Sequence, residues 1–345
     1  MSVVGPAVAD VLGLDGSYWD PLWRVRVELS GLERELLRCW VVRRLAFVAH
    51  AGASAIATTQ SGSRLEHSLG VLALVAHFAP GDRVARVAAL LHDTGHLLLS
   101  HTLDGVAGWD HHALGTGRIR SLAGLFARHR IDVEEVVDVV DGRCPSVLSS
   151  PRGVLKLDHL DGLVRSARAH GRTRQAPPQT LARLRLVGGA VDADREAGDL
   201  LVQMVAAEAR LHTAPLNVVA TAVVRHLAGV VLADVLPARV REVAEMTDDE
   251  FWALLLADPR TARTTRRLRR DPGAWRIADP GDNPGDGPGE RAAATTGFPF
   301  TMSRLYLDLP LVNGRPVDTH HPALTGLPRM PWACSVVPDR DIETS

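Results

Sequence analysis

Leu90-Leu91-His92-Asp93-Thr94-Gly95-His96-Leu97-Leu98-Leu99-Ser100-His101 is the stretch on which the reading of this chain turns. An apolar run (Val84, Val87, Ala88, Leu90, Leu91) leads into the adjacent pair His92-Asp93, and His96 and His101 follow closely. The run predicts a helix over 83–93. If the helix continues, His92 and His96 project from one face, about 5–6 Å apart at Cβ. Two metal-binding side-chain types at the end of an apolar helix are costly unless they hold an ion. Thr94-Gly95 predicts a loosened turn just beyond the pair.

Three other places supply partners: Arg64-Leu65-Glu66-His67-Ser68 at the start of an amphipathic helix, Trp109-Asp110-His111-His112, and Leu157-Asp158-His159-Leu160-Asp161. Taken singly, each has a bland reading. A lone His67 is more often a hydrogen-bonded core histidine, Asp158 and Asp161 the wet face of a helix, and His112 a surface residue. Together they offer two histidines and two aspartates from three helices. That mixed nitrogen and oxygen shell suits one divalent ion of Mn, Fe, Co, Ni, Mg or Zn, and ligand types alone do not choose among them.

The chain has 345 residues, 46% of them hydrophobic and 23% charged, as expected of a globular protein with a sizeable core. A formal net charge of −1 excludes the global basic field that non-specific nucleic-acid binding needs, but does not argue against a small phosphorylated substrate. Cys39, Cys144 and Cys334 are scattered and read as reduced thiols. Met1–Leu14 lacks the marks of a signal peptide, and no run approaches the ~18 apolar residues of a membrane span. A soluble, cytoplasmic protein without a membrane partner is the expectation. Lys156 is the only lysine, so phosphate clamps must be arginine or histidine with that one exception.

Alternation of Trp23, Val25, Val27 and Leu29 predicts a short strand, and Ser30 with Glu33 a capping box opening a helix that runs into Arg43-Arg44-Leu45. Residues 52–63 read as a loop. Helical patterns cover 64–78, 83–93, 110–130, 133–140, 153–170, 178–188, 192–213, 215–235 and 248–257. Proline and glycine density predicts a linker over 278–298, Asn313-Gly314 a hairpin turn within 303–314, and Trp332–Val337 a strand. The expected architecture is mainly α: a helical core and extension over 1–277, the linker, and a small β-containing cap over 299–345.

The joined motifs resemble the HD superfamily of metal-dependent phosphohydrolases, in particular the branch containing the deoxynucleoside triphosphate triphosphohydrolases. That family's Arg-Phe-Glu-His-Ser-Leu-Gly-Val is similar to Arg64–Val71, and its His-Asp-x-Gly-His-x-x-x-Ser-His to His92–His101, with Leu97-Leu98-Leu99 where Gly-Pro-Phe is usual. Trp-x-His-Glu resembles Trp109–His112, Asp20-Pro21 through Leu45 resembles the family's opening, and Met246–Trp252 a late helix, so the resemblance spans roughly 15–275. It implies an HD-domain core with a metal on His67, His92, Asp93 and Asp158. It also implies that Arg64 faces the phosphates, that His96 and His111 line the phosphate side, and that His101 with Asp104 protonates the leaving oxygen. A substrate pocket of His159, Asp161, Gly162 and Arg165 is implied too. There the chain departs from the family: Gly162 stands for Tyr, Ser166 for Asp and His159 for a common Lys, so a wider sugar pocket is expected.

The function implied is hydrolysis of a phosphate ester or triphosphate of a nucleotide, modified or not, by activated water with a histidine acid. Release of intact triphosphate and stepwise phosphate removal are both open. A mixed-valent diiron oxygenase of the HD type and a non-catalytic nucleotide-binding regulator are the alternatives. An HD-GYP phosphodiesterase is weaker, since its lysine and Gly-Tyr-Pro are missing. Homo-oligomers are common in the family and are expected here on that ground alone.

Overall fold

The computed structural model describes residues 5–233, 235–278 and 297–339. The chain opens with a hairpin of β1 (Ser17–Asp20) and β2 (Val25–Glu28), paired from Ser17 with Glu28 to Asp20 with Val25. The Ser30–Glu33 box is present and starts α1 (Gly31–Leu36). The single helix expected to follow is broken at 37–39, before α2 (Trp40–Arg43).

The central bundle consists of α3 (Arg64–Phe78), α4 (Arg83–Leu91), α5 (His111–Ser121), α6 (Ala123–Arg128), α7 (Val133–Val140) and α8 (Leu157–Ala169). A second capping box starts α3: Ser63 Oγ accepts the Glu66 N–H and Glu66 accepts the Ser63 N–H. Glu66 of the Arg-x-Glu-His motif therefore sets where the helix begins, and with it the place of His67 on the first turn. Asp82 caps α4, Asp110 caps α5 and Asp132 caps α7.

Then come α9 (Pro177–Leu181), β3 (Leu184–Val187), β4 (Ala190–Ala193), α10 (Arg195–Thr213), α11 (Pro215–Leu232), α12 (Pro237–Ala244), α13 (Asp248–Ala257) and α14 (Ala262–Arg270). The helix expected over 178–188 is thus a short helix and a hairpin strand. Leu184–Val187 pairs instead with Ala190–Ala193 across a turn at Gly188 and Gly189, at φ 56° and 82°. The helix read over 110–130 breaks at Leu122, and that read over 153–170 starts only at Leu157.

The last strands are β5 (Trp275–Ile277), β6 (Phe298–Met302), β7 (Leu311–Val312), β8 (Arg315–Pro316) and β9 (Trp332–Pro338). Asn313-Gly314 turns between β7 and β8 as expected, but 303–308 is not a strand. β9 lies between β5 and β6, and β7 runs parallel to β4, giving sheets of order β5-β9-β6 and β3-β4-β7-β8. The tail is therefore joined both to the β3–β4 hairpin and to β5. Residues 279–296 of the expected linker lie outside the described residues.

Two apolar clusters result. One joins the β1–β2 hairpin with α3, α4, α7, α8 and α10. The other is built on α11 with α13, Trp275 and Val336, and takes in Leu97, Leu98 and Leu99, so the leucines that replace Gly-Pro-Phe anchor the motif turn in this second core. By length and composition α11 is the one helix among the described residues apolar enough to cross a membrane, against the expectation of none; it carries much of this core and is 56% buried.

Gly95 does something other than loosen its turn. A Cβ there would lie 1.9 Å from the His111 carbonyl oxygen and 2.7 Å from Gly115 Cα, so the motif turn and the first turn of α5 touch backbone to backbone. Gly95→Ala is expected to force them apart at a cost of about 1–3 kcal/mol, the usual range for overpacking. Urea unfolding measures it; unchanged stability would mean that this contact has slack.

Candidate metal centre and its surroundings

His67 on the first turn of α3, His92 and Asp93 at the end of α4, and Asp158 on the first turn of α8 converge. His67 Nε2 lies 3.3 Å from His92 Nε2, 3.1 Å from Asp158 Oδ1 and 3.8 Å from Asp93 Oδ2. His92 Nε2 is 3.4 Å from Asp93 Oδ1 and 3.5 Å from Asp158 Oδ1. The four side chains expected as metal ligands are thus brought together, and His67, His92 and Asp93 form a group able to hold an ion.

The imidazole tautomers suit that use. His92 Nδ1–H donates to the Ala89 carbonyl (2.9 Å) and His67 Nδ1–H to Asp161 Oδ2 (2.8 Å), leaving both Nε2 lone pairs facing inward. Burial disfavours a charged His67, yet Asp158, Asp161 and Asp93 outweigh it and lift its pKa to about 9; the local field favours a cation at Nε2. Burial likewise opposes charge on Asp93 and Asp158, but Arg64 with His92 and His96, and Lys156 with His159 and His92, hold both well below the usual carboxylate range. The donor set fits a divalent metal.

Asp161 is enclosed by protein, whereas Arg165 keeps 20% of its side chain exposed. Asp161 is fully buried behind His67, accepting Trp23 Nε1–H on Oδ1 (2.6 Å) and Arg165 Nε–H on Oδ2 (2.6 Å). Arg165 then donates to Asp20 (2.8 Å), which also accepts the Tyr18 hydroxyl (3.1 Å). Through these bonds Asp161 orients His67, and Arg165 holds Asp161 in place. A Cβ on Gly70 of α3 would sit 2.1 Å from Asp161 Oδ1, so glycine there lets the carboxylate reach His67.

Arg64 is also buried, its Nη1 donating to Asp93 Oδ2 (3.0 Å) and its Nε to Ser100 Oγ (2.9 Å). His92 and His96 do not share a helix face, because α4 ends at Leu91. His96 Nε2 turns to Asp93 Oδ1 (3.1 Å), while its ring stacks on His111 (centroids 4.8 Å) and meets His101 edge-on (4.5 Å). Asp104 accepts Nδ1–H from both His101 (2.8 Å) and His111 (3.2 Å). This second cluster of three histidines is itself able to hold a cation, and His96 Nδ1 in it is buried without a partner.

The position left open by Gly162 is bordered by His50. A Cβ there would be 3.4 Å from His50 Cε1, and the His50 ring packs on His67 (centroids 4.6 Å). Burial, Arg64 and His67 push the His50 pKa well below its ordinary value, so the ring is neutral. No motif points to His50; its signal is the open Cβ direction of Gly162, visible only once α8 and the 49–52 turn are adjacent. Lys156 places Nζ 2.8 Å from Asp158 Oδ2, and His159 Nδ1 bonds Asp308 of the tail. Two further residues tie the site to the helical extension. Arg44 donates to the carbonyls of His96, Ala244, Glu245 and Met246, and Asp248 accepts the N–H groups of Ala49 and Leu99.

Residues 64–163, which hold all four converging ligands, match the family described as HD domain. This segment is similar to HD domains. The chain is 27% identical over 159 residues to the uncharacterized protein YdhJ of Bacillus subtilis, covering 44% of this chain and 48% of that one. It is 30% identical over 101 residues to the uncharacterized protein MJ1154 of Methanocaldococcus jannaschii, covering 28% and 22%. It therefore spans about half or less of these relatives. The fold is shared with a phosphohydrolase (BT4208) from Bacteroides thetaiotaomicron, at TM-score 0.58 and 15% identity, covering 76% of this chain and 79% of that one. A hypothetical protein from Aquifex aeolicus shares it too, at TM-score 0.60 and 17% identity, with 76% of each chain covered. Both matches extend well beyond the HD domain's 100 residues into the helical extension.

Asp161→Asn tests the orienting role. All three groups that Asp161 binds are N–H donors, so either orientation of the carboxamide sets its NH₂ against one of them. Metal affinity is expected to fall about 10–100-fold with secondary structure intact. A competition titration against a chelator measures it, and unchanged affinity would detach Asp161 from the metal centre.

Proposed function

We propose that the chain is a metal-dependent phosphohydrolase acting on a nucleotide or nucleotide-like phosphate ester. The observation that carries the reading is the convergence of His67, His92, Asp93 and Asp158 with both imidazole tautomers fixed from behind. The HD domain supports it at the level of hydrolase chemistry. When bound, a divalent ion makes water nucleophilic near neutral pH and polarises a phosphoryl oxygen.

The chain's own groups supply the rest. Among the ligands, His92 and Asp158 are the more open (side chains 14% and 21% exposed), against 2% for His67 and 5% for Asp93. An open flank lies on each side. On one, His101 and His111 with Asp104 are 51%, 21% and 31% exposed. On the other, Lys156 and His159 are 31% and 34% exposed. A phosphate at the centre meets His101 on the first flank, where Asp104 holds Nδ1 and leaves Nε2 to carry a proton to the leaving oxygen. Partial loss of water around its ring lowers the His101 pKa even with half of the side chain exposed, with Arg64 and His111 acting the same way and Asp104 opposing. An anionic phosphate beside the ring restores the proton.

The second reading is an HD-type dinuclear oxygenase, favoured by the cluster of His96, His101 and His111. Iron loading under oxygen separates it from hydrolysis.

A phosphate-release screen of the Mn- or Co-loaded protein over ribo- and deoxynucleoside mono-, di- and triphosphates, with products identified by mass, tests the leading reading. Phosphate or triphosphate release is expected. Asp93→Ala removes both metal and turnover, while His101→Ala keeps the metal and slows turnover about 10²–10⁴-fold. Silence across the panel with metal bound would overturn hydrolysis of these esters. Asp104→Asn removes the charge that supports a protonated His101. An acid that must be protonated is lost as pH rises through its pKa, so the alkaline fall of kcat/KM should move to lower pH. A profile that stays in place would reassign the acid.

A further inference from the structure

The flank of Lys156 and His159 is completed by a part of the chain that the HD domain does not contain. The Leu155 N–H donates to the Leu309 carbonyl (2.9 Å) and the Leu309 N–H to the Gly153 carbonyl (3.0 Å), which fixes the tail against the residues leading into α8. From that anchor the tail runs past the first turn of α8, where the ligand Asp158 sits. Three alternate residues of the tail then engage this flank. Asp308 accepts from His159 Nδ1. Tyr306 sets its ring edge-on to His159 at 6.3 Å between centroids. Arg304 lays its guanidinium 4.5 Å from the Tyr306 centroid and donates to the Tyr306 hydroxyl (2.8 Å).

Tyr306 is 46% exposed although it is a large aromatic residue, and His159, which it touches, is 3.7 Å from Asp158 Oδ2. The pair therefore stands at the mouth of the metal centre. On α8 the one ring at this flank is His159, since position 162 has no side chain and His50 packs beside it against His67. A tyrosine ring with a stacked guanidinium is a flat, cation-backed surface, which favours a planar electron-rich ring.

We propose that Arg304 and Tyr306 form a subsite that stacks the base of a nucleotide beside Asp158, with Asp308 fixing His159 as its inner edge. This rests on the phosphohydrolase reading for the place of the phosphate, and adds which part of the molecule holds the other end of the substrate. With phosphates at the centre and toward His101, the base lies on the opposite flank, over the tail. Stacking accepts any base, because each has a π-face.

The test uses the full chain loaded with Mn and two probes, the α,β-methylene analogue of ATP and inorganic tripolyphosphate, which has no base. Calorimetric affinities are compared for wild type, Tyr306→Phe and Tyr306→Ala, with melting temperature and metal content as controls. Tyr306→Ala should weaken the nucleotide analogue roughly 5- to 100-fold, the range found when a stacking aromatic is truncated. The ratio of its affinity to that of tripolyphosphate should collapse accordingly, and Tyr306→Phe should hold that ratio within about 3-fold of wild type, since the ring is kept. Equal weakening of both probes, no change in either, or a wild type that does not bind the analogue would overturn the subsite. Tyr306-dependent binding without turnover of any ester would leave the subsite standing and remove the phosphohydrolase reading. Turnover with Tyr306-independent affinity would do the reverse.

Discussion

A neutral imidazole binds a cation only through the ring nitrogen that carries no proton, so something must hold the proton on the other one. At His67 that task falls to Asp161, and much of the surrounding structure follows from burying that carboxylate. A buried carboxylate is costly unless its lone pairs are used. Asp161 uses them on His67, Trp23 and Arg165, and Arg165 in turn needs Asp20. Trp23 and Asp20 belong to the N-terminal hairpin and its turn. The hairpin, more than 40 residues before His67, is in this sense part of the metal centre.

Close approach is the second constraint. Gly70 lets α3 accept Asp161 from α8, and Gly95 lets the turn after Asp93 rest on the start of α5. These two glycines set spacings that polar contacts then exploit: Asp161 reaches His67, and His111 reaches both His96 and Asp104. Arg44 and Asp248 tie that same turn to the segment joining α12 and α13. The helical extension is thus bonded to the backbone of the site, and its placement affects where His96 and Leu99 sit.

The four converging side chains were legible in the sequence because each lies in a run whose local structure is strongly specified. His67 follows a capping box, His92-Asp93 ends an apolar helix, and Asp158 opens another. Roles that depend on which helix lies behind which were not legible. Asp161 looks like the wet face of a helix when read along α8, and only packing against α3 and the hairpin turns it toward His67. The helix read over 178–188 gave Gly188-Gly189 too little weight against a leucine pattern at helical spacing. His50 and Tyr306 escaped for a different reason. Asp308 meets His159 across 149 residues, and His50 meets Gly162 across more than 100, distances over which no local pattern carries information.

Charge accounts for why such a centre suits an anionic substrate. Each carboxylate near His67 already has a cation: Arg64 on Asp93 at 3.0 Å, Lys156 on Asp158 at 2.8 Å, Arg165 on Asp161 at 2.6 Å. An ion bound by His67, His92, Asp93 and Asp158 would enter a frame whose negative charge is largely matched, so most of its own charge stays available to the ligand. A bound divalent cation is commonly the largest local charge in a site, and here it would face a phosphate across a partly open surface. A structural ion would be better served by unmatched carboxylates and full enclosure. That the only lysine in the chain sits on a ligand carboxylate, where it weakens the metal's hold but strengthens the field toward substrate, favours turnover over a staple.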